Sequence, residues 1–501
     1  MRYILAVDQG TTGTRAILYD ENLVQQSNSY YEHVQYSPHP GWCEHDPMEI
    51  YENTCRALND VLDEAHNKGI SHYDISCIGI ANQGETVMAW SRKTGLPLYK
   101  AIVWHCQRTD AIVEKLSENK DFCDYVHNKT GLKVSSYFSA VKILWLLENV
   151  PEVQEAAKTN DLCLGTIDSW LIFKMTGGKK FVTDCSTASR TMLFNIHSMD
   201  WDDKLFKSLG FNREMFAEVL DNCAVFGFTE EKLLGTQIPI TASIVDQQGA
   251  LFGQCCFDRG SVKVTYGTGC FLLMNTGTQP VINNNGLLAT VAWSVKGITT
   301  YALDGVIFIA GAALQWLRDK LCIVQDFKEI DTLASSISDN DDVYFVPAFS
   351  GLAAPHWDYT AKGLIIGLTM GSTKAHIARA ALESIAYQMK ELVDIMEKTT
   401  KIKINYIKAD GGISKSSFLM QFQADVLNRQ VHLLDDYEAT SRGVAMMAGI
   451  GAGIWSGTEE MKRMEGTKET FCPAMSLEKV ETMTAQWQQA VSRSMNWKKH
   501  N

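Results

Sequence analysis

The stretch that decides the fold reads Asp8-Gln9-Gly10-Thr11-Thr12-Gly13-Thr14-Arg15, and it directly follows the apolar run Tyr3-Ile4-Leu5-Ala6-Val7. A second stretch, Thr265-Tyr266-Gly267-Thr268-Gly269-Cys270, follows the strand-like run Val262-Lys263-Val264. Glycine permits a tight turn, and backbone N–H groups and threonine hydroxyls bind phosphate oxygens. Two such loops, one in each half of the chain, predict a duplicated architecture that closes on one nucleotide.

Either loop alone is equally typical of an ordinary hairpin, because glycine and polar residues dominate turns for conformational reasons. The first loop adds a carboxylate, Asp8, at the end of the strand and a cation, Arg15, just beyond it. These are the groups that a metal ion and a phosphate require. The two loops together therefore favour Mg-ATP binding over two unrelated turns.

The size and composition bound the class of protein. A chain of 501 residues exceeds what one hydrophobic core usually organises, which predicts two domains, 1–252 and 253–501. The net charge of −12 argues against binding to nucleic acid or to an anionic membrane. No apolar run has the length of a membrane span, the first ten residues do not resemble a signal peptide, and the 13 cysteines lack metal-ligand spacing. We therefore expect a cytoplasmic protein with reduced thiols.

Strand-like and helix-like segments alternate along the chain, which predicts mixed α/β layers. Both halves run in the same order: a hairpin around a loop, a helix and a strand. The expected strands are 3–7, 14–19, 75–81, 261–264, 272–275 and 404–409, and the expected helices are 47–64, 309–321, 375–399 and 483–497.

Asp246 is the candidate general base. It follows the apolar segment 240–245 and is followed by two glutamines. A carboxylate at a strand end beside an interdomain cleft is well placed to take a proton from a substrate hydroxyl. An aspartate in that position is also typical of a helix N-cap, so the residues alone leave both roles open.

Further candidates lie at turns and on one helix. Asp410-Gly411-Gly412 ends a strand, and its small residues would let an adenine ring approach the backbone, although a plain strand-to-helix turn explains them as well. Ser416 follows as a capping or base-contacting group. Gly311 and Gln315 lie on a helix with small residues, which suits nucleotide contact or close helix packing. In the first half, Glu85, Trp104 and Tyr137 suit a sugar or polyol site, or are structural.

Taken together and in order, these segments closely resemble the FGGY carbohydrate kinases, and among them the glycerol kinases. The segments that carry the resemblance are 8–15, Asn82-Gln83-x-Glu85-Thr86, 101–104, Tyr137-Phe138-Ser139, 188–195, Asp246-Gln247-Gln248, 266–271, 311–318 and 410–412. The resemblance implies a two-domain, duplicated actin-like ATPase fold of the ribonuclease H type. It also implies that the active site lies in the interdomain cleft, with a polyol deep in it and Mg-ATP bridging the lobes.

The resemblance further implies an ATP-dependent kinase for a terminal hydroxyl of a small polyol, and it assigns roles by matching position. Asp246 would be the general base, and Asp8 and Asp246 would face the magnesium ion. The nucleotide would contact Thr11, Thr12, Gly13, Arg15, Thr268, Gly311, Gln315, Gly412 and Ser416. The acceptor would contact Glu85, Trp104, Tyr137, Asp246, Gln247 and Phe271. Relatives of this kind are commonly homodimers or homotetramers.

The chain departs from the glycerol kinase pattern at one wall of the acceptor pocket. Gly84 stands where that pattern has arginine, and His105 and Gln107 are also unusual. A lost hydrogen bond to a charged group costs about 1.5–3 kcal/mol, which favours a longer polyol or a ketose of four to six carbons as the alternative acceptor. Alternatively, Gly84 is a neutral turn residue, and Arg108 or a water molecule replaces the lost contact.

Two regulatory possibilities complete the sequence reading. The segment 233–237 lacks the Gly-Gly-x-Arg pattern of glycerol kinases that bind fructose bisphosphate, so we do not expect feedback by that sugar. A weakly catalytic binding protein of the same fold is the rival from another class, and a missing base or a broken phosphate loop would favour it.

Overall fold

Two mixed β-sheets form the framework of the protein. The computed structural model describes residues 2–434, 438–464 and 466–497. The first sheet has six strands in the order Gly227–Phe228, Pro239–Val245, Ile75–Asn82, Tyr3–Gln9, Gly13–Asp20 and Gln25–Glu32. The second has seven in the order Leu288–Val295, Ile298–Ile307, Cys270–Gly277, Val262–Tyr266, Tyr406–Asp410, Gln430–Leu433 and Glu469–Phe471.

The two sheets share a five-strand core, which confirms the predicted duplication. In each, three antiparallel strands are followed by two parallel ones. Each Gly/Thr loop joins the central hairpin of its sheet, the first between Tyr3–Gln9 and Gly13–Asp20 and the second between Val262–Tyr266 and Cys270–Gly277. The buried faces of the central strands explain why these apolar runs form strands and not surface turns. The loops therefore open at equivalent edges of the two sheets.

Helices cover both sheets, and short strands make smaller sheets at the periphery. The α-helices are Pro47–Asn67, Asp110–Ser117, Lys120–Thr130, Ser139–Asn149, Pro151–Lys158, Ile167–Met175, Cys185–Ala188, Asp203–Leu209, Glu231–Leu234, Asp246–Gly253, Gly311–Asp319, Phe327–Ser335, Lys374–Thr400, Ser417–Leu427, Ala439–Gly451, Thr458–Met461 and Leu477–Ser494. A four-stranded sheet contains Glu44–His45, Ala101–Ile102, Val87–Ser91 and Leu162–Thr166. The two-stranded pairs are Phe194–Asn195 with Asp200–Trp201, Val182–Asp184 with Glu218–Leu220, and Tyr344–Val346 with Leu364–Ile366. Across the described residues, no helix is both long enough and apolar enough to cross a bilayer.

The two halves of the chain interlock through one helix pair. Helix Ala439–Gly451 of the second half packs on the first sheet and crosses Asp246–Gly253. A Cβ added to Gly443 would lie 1.9 Å from the carbonyl oxygen of Gly249, so the two backbones touch. The predicted domain boundary between 252 and 253 falls within helix Asp246–Gly253, and it stays a prediction.

Candidate active site

The first glycine-threonine loop is a tight turn with exposed hydroxyl groups. The Gly10 amide donates to the Gly13 carbonyl at 2.9 Å, which closes the turn. The Thr12 side chain is exposed at its tip. A Cβ on Gly13 would lie 2.5 Å from the Tyr31 carbonyl oxygen, so only glycine fits there. The turn thus presents amide and hydroxyl donors of the kind that bind phosphate.

Arg15 lies beside this loop and pairs across the cleft. Its Nε is 3.2 Å from a carboxylate oxygen of Glu438, and both side chains are about one-third exposed. Its guanidinium also lies over the Tyr30 ring, 5.0 Å from the ring centroid. The predicted phosphate-binding cation is therefore held at the cleft by a carboxylate that an incoming phosphate would have to displace.

The second loop meets the other two predicted nucleotide-binding segments through backbone contacts. Gly311 begins helix Gly311–Asp319, and its amide donates to the Gly267 carbonyl at 3.1 Å. The Ala312 amide donates to the Thr268 carbonyl at 3.1 Å. Gly411 has a φ of +91°, and a Cβ there would lie 2.5 Å from the Tyr266 carbonyl oxygen. Glycines at these positions bring the loop, the helix and the turn into contact.

The remaining nucleotide-binding candidates lie around this junction. Gln315 and Gly412 are exposed, Gln315 on helix Gly311–Asp319 and Gly412 directly after Gly411. Ser416 is the N-cap of helix Ser417–Leu427, where its Oγ accepts from the Leu419 amide at 3.0 Å and also donates to Asp331. The capping interpretation of Ser416 is confirmed, and its contact with a nucleotide stays a prediction.

Asp246 lies between the two loops, at the start of a helix. Val245 is the N-cap, so Asp246 is the first helical residue and not the cap itself. Its Oδ1 accepts from the Gln247 amide at 2.7 Å. Burial, and then Glu85, raise the pKa of Asp246 to about 6. The carboxylate is therefore ionised at neutral pH and able to accept a proton.

Asp8 and Asp246 form a carboxylate pair suited to a divalent cation. Burial, and then Asp246 and Glu438, raise the pKa of Asp8 to about 8, so the unliganded site resists carrying both negative charges. Within the described ranges, no three His, Cys, Asp or Glu side chains stand together as a metal site. Mg²⁺ commonly takes one or two carboxylates and completes its shell with water and phosphate oxygens. The pair fits that requirement.

Gln247, a predicted acceptor contact, is fixed by a lysine. Its Oε1 accepts from Lys263 Nζ at 2.5 Å, and the same ammonium donates to Thr265 Oγ1 at 2.8 Å. Lys263 is fully buried, and burial lowers its pKa, against the opposing effect of Asp410 and Asp246. Lys263 thus joins the second loop strand to the segment that carries the base.

The predicted acceptor-binding side chains come together as one surface. We call Glu85, Trp104, Tyr137 and Phe271 the acceptor wall. The Trp104 ring centroid lies 5.6 Å from that of Tyr137 and 6.3 Å from that of Phe271. Trp104 Nε1 also donates to Thr11 Oγ1 at 2.9 Å, which connects the wall to the first loop. The acceptor wall and the phosphate loop are therefore positioned by one another.

Glu85 is held in a buried ion pair with Arg190. Arg190 Nε donates to Glu85 Oε1 at 2.6 Å, and its Nη2 lies 2.9 Å from Asp304 Oδ2. Arg190 is 3% exposed. Glu85 comes from the first half of the chain and Asp304 from the second, so this arginine links both halves at the floor of the acceptor wall.

Lys142 supports the wall from behind. Its fully buried Nζ donates to three successive carbonyls, those of Ser136 and Tyr137 at 2.7 Å each and of Phe138 at 3.2 Å. Burial lowers the pKa of Lys142 to about 7, against the raising effect of Glu85. The ammonium thereby fixes the backbone that carries Tyr137.

The unusual positions of the wall are packed in different ways. A Cβ on Gly84 would lie 3.0 Å from both Val245 methyl groups and 3.2 Å from Arg190 Cγ, so the first carbon of a side chain there would be tightly packed. The His105 ring lies against Trp104, with the ring centroids 4.7 Å apart. The Gln107 amide donates to the Gly41 carbonyl, and the side chain is exposed.

Arg108 pairs and stacks with residues outside the acceptor wall. Its Nη1 is 2.8 Å from Glu44, its Nε donates to Cys106 Sγ, and its guanidinium lies 3.9 Å from the Trp42 ring centroid. These contacts do not support the sequence alternative that assigned Arg108 to the acceptor, and its Nη2 is buried with no hydrogen-bond partner among the described residues; the alternative stays a prediction.

Sequence reasoning assigned no role to four buried charges of this site. Lys142, Lys263 and Asp304 each stand as the single ionisable residue of a mostly apolar segment, whereas Arg190 lies among serines and threonines. A buried charge requires partners, so such residues are expected to form networks. The sequence gives no information on which partner each one has.

Comparisons with known proteins agree with this architecture. Residues 3–253 match the N-terminal domain, and residues 262–452 the C-terminal domain, of the FGGY family of carbohydrate kinases. The chain is 47% identical over its full length, and over the full length of the relative, to glycerol kinase 2 of Thermotoga maritima. It is 46% identical to the glycerol kinase of Treponema denticola, with 99% of each chain covered.

Solved structures give the same result. The crystal structure of Plasmodium falciparum glycerol kinase with ADP matches with a TM-score of 0.92 and 37% identity, covering 99% of this chain and 98% of that one. A ligand-bound xylulose kinase from Lactobacillus acidophilus matches with a TM-score of 0.86 and 22% identity over 99% and 97% of the two chains. The second likeness concerns the fold alone.

Proposed function

This chain belongs to the FGGY family of carbohydrate kinases, and from that premise we propose that it transfers a phosphoryl group from ATP to a terminal hydroxyl of glycerol. The similarity of the chain to glycerol kinases over nearly its full length supports glycerol as the acceptor. The observation that carries the proposal is Asp246, whose buried carboxylate interacts electrostatically with Asp8 of the first loop, with Glu85 of the acceptor wall and with Lys263 of the strand before the second loop.

In this proposal Asp246 is the general base. Its carboxylate takes the proton of the attacking hydroxyl, and its pKa of about 6 leaves it ionised at neutral pH. Glu85 accepts a hydrogen bond from an acceptor hydroxyl, and Gln247 is oriented by Lys263 toward the same pocket. The indole and phenyl faces of Trp104 and Phe271 cover the C–H surface of the polyol.

The loops position the nucleotide. Thr11, Thr12, Gly13 and Thr268 offer hydroxyls and amides to the phosphates, and Arg15 adds a cation once it leaves Glu438. Gly311, Gln315, Gly412 and Ser416 frame the nucleoside. Asp8 and Asp246 would hold Mg²⁺, which neutralises phosphate charge when bound. Phosphoryl transfer depends on such positioning and charge neutralisation more than on covalent chemistry.

The packing at Gly84 bears on the choice of acceptor. If the missing side chain left a cavity, a longer polyol or a ketose would gain room there. Val245 and Arg190 lie close around the first carbon of a side chain at that position. This close packing at position 84 favours a compact acceptor such as glycerol over the longer alternatives.

We assign the reaction to the cytoplasm and to a homodimer or homotetramer within the same proposal. The thirteen cysteines all lie in the described ranges and none is in a disulfide, which suits a reducing compartment. Sedimentation of the purified chain measures the assembly, and a stable monomer at all concentrations would contradict that part.

A panel assay tests the proposal. ADP release is measured with purified protein, Mg-ATP and polyols or ketoses of three to six carbons. We expect glycerol to give the highest kcat/KM, of about 10⁴ M⁻¹s⁻¹ or more. A higher value for a longer acceptor would overturn the choice of glycerol, and ADP binding without stimulation by any acceptor would favour a binding protein.

A further inference from the structure

Arg190 supplies the guanidinium of the acceptor wall in this chain. Position 84 carries no side chain, and Arg108 is committed to Glu44 and to the Trp42 ring. Arg190, in contrast, pairs directly with Glu85 of the wall. Its guanidinium carbon lies 5.8 Å from the Tyr137 ring centroid.

The hydrogen bonds of this ion cluster are incomplete. Arg190 Nε is used by Glu85 and Nη2 by Asp304, while Nη1 is buried with no partner among the described residues. Asp304 Oδ1 is likewise buried and unpartnered among them. Glu85 Oε2 has no hydrogen bond to a described residue either. One hydrogen-bond donor, Arg190 Nη1, and two hydrogen-bond acceptor atoms, Asp304 Oδ1 and Glu85 Oε2, therefore remain available around this guanidinium.

Such open groups point to a ligand that both donates and accepts hydrogen bonds. A buried donor left unsatisfied destabilises the folded protein, so a protein rarely keeps one without use. A hydroxyl group accepts one hydrogen bond from an N–H and donates one to a carboxylate. A polyol with neighbouring hydroxyls satisfies both requirements at once.

The glycine at position 84 and Arg190 fit together. A Cβ on Gly84 would lie 3.2 Å from Arg190 Cγ, so the aliphatic stem of Arg190 packs where a larger residue would begin. We propose that Arg190 binds the acceptor in this chain: Nη1 donates to one acceptor hydroxyl, and Nε holds Glu85 to accept from a hydroxyl. This inference rests on the proposed function and extends it, since it names the residue that reads the polyol.

The assignment predicts how the pocket discriminates between diols. A site built to hydrogen-bond a hydroxyl strongly rejects an analogue that lacks it, because its own polar groups are left unpaired. We expect glycerol to exceed 1,2-propanediol or 1,3-propanediol in kcat/KM by at least about a hundredfold, depending on which hydroxyl Arg190 contacts.

Arg190→Lys tests the inference, because it keeps the charge and loses the fork of donors. We expect KM for glycerol to rise at least about tenfold and the discrimination against one propanediol to shrink by a similar factor. ADP affinity and the melting temperature are measured in parallel and should stay close to wild type. Arg379→Lys, which makes the same change in the buried ion pair with Glu383 on helix Lys374–Thr400, is the matched control and should keep the discrimination.

The possible results separate the two proposals. Equal losses for glycerol and both diols, or a loss that follows ADP affinity and melting temperature, would show that Arg190 is only structural and would overturn the inference. Calorimetric binding of glycerol in the presence of ADP is measured for both proteins. Wild-type binding without turnover, weakened in Arg190→Lys, would overturn the proposed function while supporting Arg190 as the binding residue.

Discussion

The nucleotide side and the acceptor wall of the cleft are built from different materials. On the nucleotide side, glycines bring backbone against backbone, as where Gly411 meets Tyr266 and Gly311 meets Gly267. On the acceptor wall, buried side-chain charges hold one another, as in the pairing of Arg190 with Glu85 and Asp304. Backbone contact leaves no tolerance for an added methyl group, whereas an ion network depends on the charge of every member.

This difference in construction corresponds to a difference in specificity between nucleotide binding and acceptor binding. Backbone groups bind phosphate oxygens, which all nucleotides have in common. Side-chain charges select the number and place of hydroxyls, which differ between acceptors. We expect substitutions on the two sides to give different kinetic signatures, and four variants test that comparison.

Asp246→Asn is expected to have the largest effect, because it lies between the two regions and removes the base. kcat should fall by roughly 10²–10⁴, while calorimetric titration should give an ADP affinity close to that of wild type. Turnover near the wild-type rate would contradict the role of Asp246.

Gly411→Ala tests the backbone contact on the nucleotide side. The new methyl group would lie 2.5 Å from the Tyr266 carbonyl oxygen at a φ of +91°, a strain of roughly 1–3 kcal/mol. The melting temperature should drop and ADP affinity should fall about tenfold. Gly412→Ala is the matched control, since no atom lies within 4 Å of its added Cβ. Its melting temperature should stay unchanged, and equal destabilisation by both variants would refute the contact argument.

Lys142 gives the acceptor wall a pH dependence. As the pH rises through about 7, Lys142 loses its charge and one of the N–H groups that hold three carbonyls. KM for the acceptor should therefore rise by a few-fold between pH 6.5 and 8.5, while KM for ATP stays level. In Lys142→Met the acceptor KM should be high and independent of pH over that range.

Lys142 should affect acceptor binding and protein stability in opposite directions: as the pH rises, acceptor binding weakens and the free energy of unfolding increases. Burial places the pKa of Lys142 below its ordinary value of 10.5, so the folded state releases this proton before the unfolded state does. The contribution of this group to the free energy of unfolding therefore rises with pH above about 7. Denaturant titrations of wild type and Lys142→Met at both pH values check this, and a slope that survives the substitution would exclude Lys142 as its source.

Glu438→Gln is expected to have the smallest effect. It releases Arg15 from a partly exposed pair, which is worth about 1 kcal/mol or less. ADP should bind about two- to five-fold more tightly, because Arg15 becomes available and a negative charge leaves the phosphate site. Glu64→Gln removes the similar exposed pair with Lys68 on helix Pro47–Asn67 and should not change ADP affinity. Weaker ADP binding by Glu438→Gln would show that Glu438 assists the nucleotide.

The nucleotide side was predictable because its determinants are local. The loop after Tyr3–Gln9 and the turn at Gly411 each combine strand pattern, glycine and hydroxyl within a few residues. The expected helix 47–64 likewise begins at the predicted residue, because proline and an aspartate cap mark its start, and it continues to Asn67. The helix predicted over 309–321 spans Gly311–Asp319 in the structure. The prediction is two residues too long at each end because no capping residue marks either end in the sequence.

The acceptor wall was only partly predictable because its determinants are distant in sequence. Glu85 and Tyr137 were identified through resemblance to a family, not through their local pattern. Arg190 finds its partners 105 residues before it in Glu85 and, in Asp304, within a strand of the second sheet. No periodicity encodes such a pairing. The same limit applies to Arg108, whose partner Glu44 lies on a short strand of the four-stranded sheet.

The crossing of helices Asp246–Gly253 and Ala439–Gly451 also bears on how far different parts of the cleft would move if the two lobes rotated about it. In a rotation about a fixed point, each atom moves in proportion to its distance from that point. The closest approach, Gly249 to Gly443, lies one helical turn from Asp246. A rotation about this contact would therefore move the distant rims of the cleft farther than it moves Asp246. The carboxylate of Asp246 would then keep nearly the same position while substrate enters and product leaves.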